Sequence, residues 1–304
     1  MTKVYLENAQ LKATFDTKGA ELISVKRKNM VSAKLEEQEY LWIGDPKYWG
    51  RHAPILYPFV GTQKGKQYQH KGIKYPMTQH GFARDKEFVL EVKEENRLWF
   101  KLTSDEETKE CYPFEFTLWI GYELEEDTIL VFYRVENHTK EKMYFAIGAH
   151  PGFRCPVEEG ALQEDYSLRF SNTNILTYSL VNMENGLKQD NIYHTDLEKI
   201  EEYGYLQLKK GLFDHDALIV EESGIKEVAL CKPDRSPYVI MKFDTPLFGL
   251  WSPAGKNAPF VCIEPWYGRC DAEDFDGELS EKEYINELDK GESFERSYSM
   301  QFLP

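Results

Sequence analysis

Two polar residues interrupt the apolar, strand-like parts of the sequence in the same way. His150 follows the apolar run 147–149 and Glu264 follows the run 260–263, and each directly precedes a proline. The proline ring clashes with a helical conformation of the residue before it, so we expect both positions to be extended. An imidazole and a carboxyl group on stiff strand ends are suited to general acid/base chemistry, in which one group removes a proton and the other delivers one.

A third candidate, His80, lies in the polar segment Gln79-His80-Gly81. A histidine in a strand-rich protein is often a structural residue, so spacing alone leaves its role open. Two histidines and a carboxylate also form the ligand set of some non-haem iron enzymes. Neither His80 nor His150 has an acidic residue two positions later, which is the usual local cue for such a site. We therefore expect no metal and no cofactor.

Composition excludes several classes of partner. The chain of 304 residues carries a formal net charge of −15, which repels nucleic acid and anionic membrane surfaces. Its five cysteines are scattered and form no Cys-x-x-Cys pair, so a zinc ribbon or a redox motif is not predicted. The first residues lack the apolar stretch of a signal peptide. We expect a cytoplasmic protein with reduced thiols, as a monomer or a homodimer.

Alternation of apolar and polar residues is the dominant pattern and predicts β-strands. The clearest example is a hairpin whose apolar positions flank the acidic turn 125–127, namely Phe114, Phe116, Leu118 and Ile120 before it and Ile129, Val131, Tyr133 and Val135 after it. Helical patterns are scarce, and only Ser280 with Glu283 resembles the start of a short helix, which would end near Leu288. Many short strands predict an all-β sandwich or barrel, in one domain over residues 1–304.

A strand at 260–264 would place Cys262 and Glu264 on the same face, because side chains alternate along a strand. Trp266 is close in sequence to this face. The three residues together predict the wall of a pocket.

At these residues the sequence resembles the aldose 1-epimerase family of the galactose mutarotase-like superfamily, and within it the lactose-operon X-protein branch. The resemblance covers nearly the whole chain. Its short motifs occur in the family's order and spacing, and they are Gly19-Ala20-Glu21-Leu22, the segment 49–58, His80-Gly81-Phe82-Ala83-Arg84, Gly148-Ala149-His150-Pro151 and Ile263-Glu264-Pro265-Trp266.

The resemblance implies a super-β-sandwich fold. It also implies an enzyme that interconverts the α and β anomers of a hexose without a cofactor. Roles by position are implied as well. Glu264 matches the general base at the anomeric hydroxyl, His150 the general acid at the ring oxygen, and His80 the histidine that orients the sugar. Asp216 resembles the acid that binds sugar hydroxyls, with Asp214 as a competitor for that role.

Protonation of the acid is a separate question, because a free histidine with a pKa near 6.5 is mostly neutral at pH 7. A carboxylate beside His150 would raise the pKa of the imidazole, and burial would lower it. We expect the effect of Glu264 to prevail.

The sequence is compatible with two classes of substrate, a hexose 6-phosphate and a free hexose. Arg51 and Arg84 resemble arginines that hold phosphate in hexose-6-phosphate mutarotases, and a guanidinium suits that work. Alternatively, both arginines pair with acidic neighbours such as Asp85, and the substrate is a free hexose, which we favour. A non-catalytic carbohydrate-binding protein on the same scaffold is a further alternative, although such a protein would not need the acid/base pair.

Overall fold

A computed structural model of the chain describes residues 2–31 and 34–304. The strands in the first half are β1 (Lys3–Glu7), β2 (Leu11–Asp16), β3 (Glu21–Val31), β4 (Lys34–Glu39), β5 (Ile55–Leu56), β6 (Gln67–His70), β7 (Ile73–Pro76), β8 (Val89–Lys93), β9 (Arg97–Thr103), β10 (Phe116–Glu125), β11 (Thr128–Asn137), β12 (Met143–Phe145) and β13 (Ile147–Ala149). Those in the second half are β14 (Gly152–Arg154), β15 (Ser167–Ser171), β16 (Ile175–Val181), β17 (Lys188–Asp196), β18 (Glu198–Ile200), β19 (Tyr203–Gln207), β20 (Leu218–Glu221), β21 (Glu227–Cys231), β22 (Pro237–Phe243), β23 (Leu247–Trp251), β24 (Phe260–Tyr267), β25 (Asn286–Leu288) and β26 (Ser293–Phe302).

Helical structure is sparse in the described residues. It comprises the α-helix α1 (Glu106–Cys111) and 3-10 turns at Lys64–Lys66, Ala83–Asp85, Gln163–Asp165 and Leu279–Glu281. None of these helices has the length and apolar character needed to cross a bilayer. The predicted all-β class is confirmed.

Two large antiparallel sheets form the body of the fold. One has ten strands in the order β18-β19-β15-β21-β22-β26-β11-β10-β9-β8. The other has eight, with the path β17-β16-β20-β23-β24-β13-β5 and β14 paired with β24. The predicted hairpin is β10 with β11, which pair in register from Phe116 opposite Asn137 to Glu125 opposite Thr128.

The main apolar core receives side chains from both large sheets, for example Leu118 and Val131 from the ten-stranded sheet and Val261 and Ile263 from the eight-stranded one. These side chains are fully buried. The other side chains of the eight-stranded sheet lie on its opposite face. The candidate site is on that face.

The helix expected from Ser280 to Leu288 is wrong. The segment forms the 3-10 turn Leu279–Glu281 and then strand β25, which pairs with β12. The segment does not form a helix because its last residues pair as strand β25 with β12, and the local sequence does not reveal this partner. The α-helix that does form, α1, begins after Asp105, whose side chain accepts the N–H of Thr108 at 2.7 Å.

Candidate active site

Glu264 lies in the middle of β24, a strand whose residues are all buried. Its neighbours Val261 and Ile263 face the main core, so the alternation of the strand turns Glu264 to the opposite face, together with Cys262 and Trp266. Neither carboxylate oxygen makes a hydrogen bond of ordinary geometry in the described residues. A buried carboxyl group whose two oxygens make no hydrogen bond of ordinary geometry is rare in a protein interior and points to a ligand.

His150 follows β13, which pairs with β24 on one side and with β5 on the other. Its Nδ1 lies 3.3 Å from Oε1 of Glu264, so the strand pairing brings the two candidate groups into contact. Trp49 stacks on the imidazole with ring centroids 4.7 Å apart, and Trp251 meets it edge-on at 5.2 Å. These rings hold the imidazole in one orientation.

His80 reaches the same place from the loop after β7. Its Nδ1 accepts the N–H of Gly61 at 3.1 Å, so in the neutral ring the proton is on Nε2. The His80 and His150 ring centroids are 5.6 Å apart. His80 can therefore offer one N–H donor beside the pair formed by His150 and Glu264.

These side chains line a cavity of about 300 Å³, a size typical of small-molecule sites. Asp216, which precedes β20, also lines it, whereas Asp214 does not. The other lining residues come from loops and strand ends at this face of the eight-stranded sheet, and they are Trp49, Val60, Gly61, Gln79, Arg84, Val181, Gly186, Ala217, Ile219, Trp251, Trp266 and Cys270.

Burial dominates the electrostatics of the cavity. It raises the pKa of Glu264 well above the ordinary value, and the nearby Asp216 carboxyl raises it further. The indole N–H of Trp266 lies near enough to oppose this rise in part, although it forms no hydrogen bond of ordinary geometry. Burial also raises the pKa of Asp216, while the Trp251 indole opposes that rise. The site thus favours neutral carboxyl groups.

The expected direction of the shift at His150 is wrong. Burial, together with the positive charge of Arg84, lowers the pKa of His150 to about 3. The carboxyl group of Glu264 does not compensate, because burial raises its pKa and so disfavours its charged form as well. Burial thus acts against the charged form of both groups, which favours one proton held between His150 and Glu264.

The two arginines differ in position. Arg51 is not part of the cavity wall, because its Nη2 binds both oxygens of Asp85 at 2.9 and 3.2 Å. Arg84 lines the cavity, donates to the carbonyl oxygen of Gln79 at 2.7 Å, and has its Nε 3.9 Å from Asp85. Both arginines thus share Asp85, as the alternative reading of the sequence expects.

Trp266 occupies its position in the cavity wall because two strand residues beside it are glycines. A Cβ on Gly249 would lie 2.3 Å from the indole ring of Trp266, and one on Gly148 would lie 2.6 Å from it. Gly249 is also directly opposite Glu264 in the β23–β24 pair. The strand composition therefore makes room for the indole next to the carboxyl group.

A methyl group at Gly249 should disturb the cavity. We expect Gly249→Ala to displace Trp266 and to lower kcat/KM for the substrate by about tenfold to a hundredfold, because small misplacements of a site are costly. Steady-state kinetics would show this, with Gly50→Ala as the control, since a Cβ at Gly50 meets only ordinary contacts at 3.9 Å. An unchanged kcat/KM for Gly249→Ala would contradict the packing argument.

Among the described residues, one group offers donor atoms close enough to share a metal ion. His150, Cys262 and Glu264 place a nitrogen, a sulfur and an oxygen within 4.8 Å of one another. The set has the ligand types of a zinc site, but the same imidazole and carboxyl group are the acid/base candidates. A His-x-Asp cue does occur at His194 and Asp196, on the edge strand β17, where His194 instead contacts the hydroxyl of Thr177 at 2.9 Å.

If the side chains of the cavity move protons without a metal ion, removal of divalent ions should not stop turnover. Dialysis against EDTA should leave kcat within about twofold of the untreated value. Loss of activity that returns on adding Zn²⁺ would show that the His150, Cys262 and Glu264 group holds a required metal.

Several residues of the site escaped the sequence-based reasoning. Trp49 is part of a motif noted for its similarity to the family, yet nothing in its neighbourhood indicates that it stacks on a histidine far along the chain. The hydrogen bond from Gly61 to His80 could not be predicted from local sequence either, because it joins two separate loops. A positive φ at Gly61 (72°) leaves only a weak trace in the sequence, the glycine itself.

Comparison with known proteins identifies the family of the chain. The family model for aldose 1-epimerase matches residues 2–285. The plasmid-encoded Protein LacX of Lactococcus lactis subsp. lactis is 31% identical over 311 aligned positions, which cover 99% of each chain. A protein of Escherichia coli K12 provisionally named glucose-6-phosphate 1-epimerase is 29% identical over 127 positions, 38% of this chain and 37% of that protein.

A solved structure is similar over the whole length. The galactose mutarotase related enzyme of Lactobacillus acidophilus superposes with a TM-score of 0.88 at 33% identity, covering 100% of this chain and 98% of that one. The match of the family model and the full-length similarity to LacX agree with the fold. The chain therefore belongs to the aldose 1-epimerase family.

Proposed function

We propose that this protein catalyses the interconversion of the α and β anomers of a free hexose by acid/base ring opening. The observation that carries the proposal is the contact of 3.3 Å between Nδ1 of His150 and Oε1 of Glu264 in a sugar-sized cavity. Both groups are buried and Glu264 lacks a hydrogen-bond partner within the described residues. A sugar supplies the hydroxyl groups that such oxygens need.

Ring opening requires a proton to leave the anomeric hydroxyl and another to reach the ring oxygen. In the proposed mechanism Glu264 takes the first proton and His150 delivers the second. Sugar hydroxyls that donate to Glu264 favour its ionised form, because hydrogen bonds to a carboxylate lower its pKa. The shared proton then resides on His150, which becomes the acid. Closure of the ring after rotation about the C1–C2 bond reverses these transfers.

His80 and Asp216 have supporting roles in this scheme. Nε2–H of His80 can donate to the anomeric oxygen, since its Nδ1 is occupied by Gly61. Burial lowers the pKa of His80 well below its ordinary value, so the ring stays a neutral donor and does not compete as an acid. Asp216, at the cavity wall, can accept hydrogen bonds from the other hydroxyl groups.

The charges of the cavity favour a free hexose over a hexose phosphate. Arg84 is the arginine in the cavity wall, and it is already engaged with Gln79 and close to Asp85. A phosphate dianion would have to compete with these partners for Arg84, and it would approach a protein with a net charge of −15. The similarity to the E. coli protein keeps the phosphorylated sugar as the second candidate.

NMR exchange spectroscopy or polarimetry on α-glucose, α-galactose and their 6-phosphates tests the proposal. We expect the protein to accelerate the approach to anomeric equilibrium for at least one free hexose above the spontaneous rate. Tight binding of the sugar without acceleration would instead support a carbohydrate-binding protein.

The two arginines allow a sharper test of the substrate. We expect kcat/KM to be about tenfold or more lower for a hexose 6-phosphate than for the free hexose, which is a difference of about 1.4 kcal/mol. Arg51→Ala is the matched control for Arg84→Ala, because both variants lose a cation beside Asp85 but only Arg84 reaches the cavity. Selective loss of phosphorylated-sugar turnover in Arg84→Ala would reverse the preference.

A further inference from the structure

A buried ion pair lies behind the cavity wall. Lys282 donates to Oδ1 of Asp271, and the two side chains are only 2% and 5% exposed. A buried pair is a weak source of stability, because desolvation of the two charges offsets most of their attraction. The catalytic scheme above does not use either residue.

Asp271 also binds the backbone of the loop segment 61–64. Its Oδ2 accepts the N–H of Lys64 at 2.8 Å, and its own N–H donates to the carbonyl oxygen of Thr62 at 3.0 Å. The preceding residue, Cys270, packs so closely that a Cβ on Gly61 would lie 2.6 Å from the Cβ of Cys270. The segment is therefore held along one side by residues 270 and 271.

The other side of the same segment holds His80. The N–H of Gly61 donates to Nδ1 of His80 at 3.1 Å, and the N–H of His80 donates to the carbonyl oxygen of Gly61 at 2.8 Å. The first of these bonds selects the tautomer with the proton on Nε2. A shift of the segment would break the hydrogen bond from Gly61 to Nδ1 of His80. The ring would then no longer be held in one tautomer or in one orientation.

We propose that Asp271 is a positioning residue for His80, acting through the segment 61–64, and that Lys282 neutralises its charge. Asp271 is not one of the residues that line the cavity. Its effect on turnover rests on the proposed function, whereas its effect on the His80 ring does not.

Two double variants isolate the hydrogen bond from the charge. Asp271→Asn with Lys282→Met removes both charges but keeps a side-chain oxygen for the N–H of Lys64. Asp271→Ala with Lys282→Met removes the oxygen as well. We expect long-range ¹H–¹⁵N NMR spectra to show the proton on Nε2 of His80 in the wild type and in the first variant. The second variant should show a mixture of tautomers.

Kinetics supply the second readout. We expect kcat of the alanine variant to be about tenfold to a hundredfold below that of the asparagine variant, because the donor is misplaced. The control is Arg169→Met with Glu227→Gln, which removes a half-buried pair (2.9 Å) in the ten-stranded sheet and should leave the His80 ring unchanged.

The outcomes separate the two claims. An identical His80 spectrum in the alanine and asparagine variants, with the proton on Nε2 in both, would overturn the positioning role. If no variant and not even the wild type turned over a sugar, the proposed function would fail, while the NMR comparison would still decide the role of Asp271.

Discussion

Replacing Glu264 by glutamine should lower kcat for anomer exchange by about 10²–10⁴-fold, the usual contribution of a well-placed general base. Glutamine keeps the shape of the side chain and its contact with His150, but it cannot accept the proton of the anomeric hydroxyl. Sugar binding should change far less than turnover, because the cavity wall is preserved. NMR exchange rates, corrected for the spontaneous reaction, together with sugar titrations would measure both effects.

The same variant should be more stable than the wild type at neutral and alkaline pH. Because burial raises the pKa of Glu264 in the folded protein, its contribution to stability is fully present below the pKa of the unfolded chain and is lost as the pH rises through the folded pKa. Glutamine does not titrate, so the gain in Tm should grow from acidic to alkaline pH. Equal turnover in the variant and the wild type would remove the catalytic claim, and a lower Tm at pH 8 would contradict the burial argument.

The pH profile of kcat/KM should lack the inflection near pH 6.5 that an ordinary histidine produces. Activity requires that His150 and Glu264 together hold one proton, so it falls when the pair gains a second proton or loses the only one. The lowered pKa of His150, about 3, moves the acidic limb far below pH 6.5. The alkaline limb arises where the pair loses its only proton. The raised pKa of Glu264 moves this limb above the pH at which an ordinary carboxyl group titrates.

The alkaline limb can be assigned with a variant. Outside the plateau, kcat/KM should fall about tenfold per pH unit, since one protonation is involved. The residual activity of Glu264→Gln should lack the alkaline limb. An acidic limb near pH 6.5 in the wild type would show that His150 is less shielded from water than the structure indicates. Burial lowers the pKa of His80 well below 6.5 as well, so His80 should not add an inflection near pH 6.5.

Local sequence patterns were sufficient for the hairpin of β10 and β11 and for the extended positions of His150 and Glu264. The alternation along 114–135 predicts the β10–β11 hairpin, because a strand that buries one face must repeat every two residues. The same rule places Glu264 and Cys262 on one face of β24. The prolines after His150 and Glu264 mark both positions as extended, and the similarity to the family links them to His80 and Asp216.

Features that join distant segments were decided by the tertiary structure. The segment 280–288 became a turn and a strand because β25 pairs with β12, and Arg51 turned away from the cavity because Asp85 lies beside it. The sign of the His150 pKa shift depended on how much water the surrounding rings and strands exclude. None of these is a property of a short stretch of chain.

Residue types and their alternation along the chain thus indicated which side chains are chemically able to move protons and which strands carry them. The contact of 3.3 Å between His150 and Glu264, the burial that acts against the charged form of both, and the hydrogen bond from Gly61 to His80 depend on the folded arrangement of distant segments. The physical reason is that strand geometry follows from neighbours along the chain, whereas contact, burial and charge depend on which strands and loops become neighbours in space.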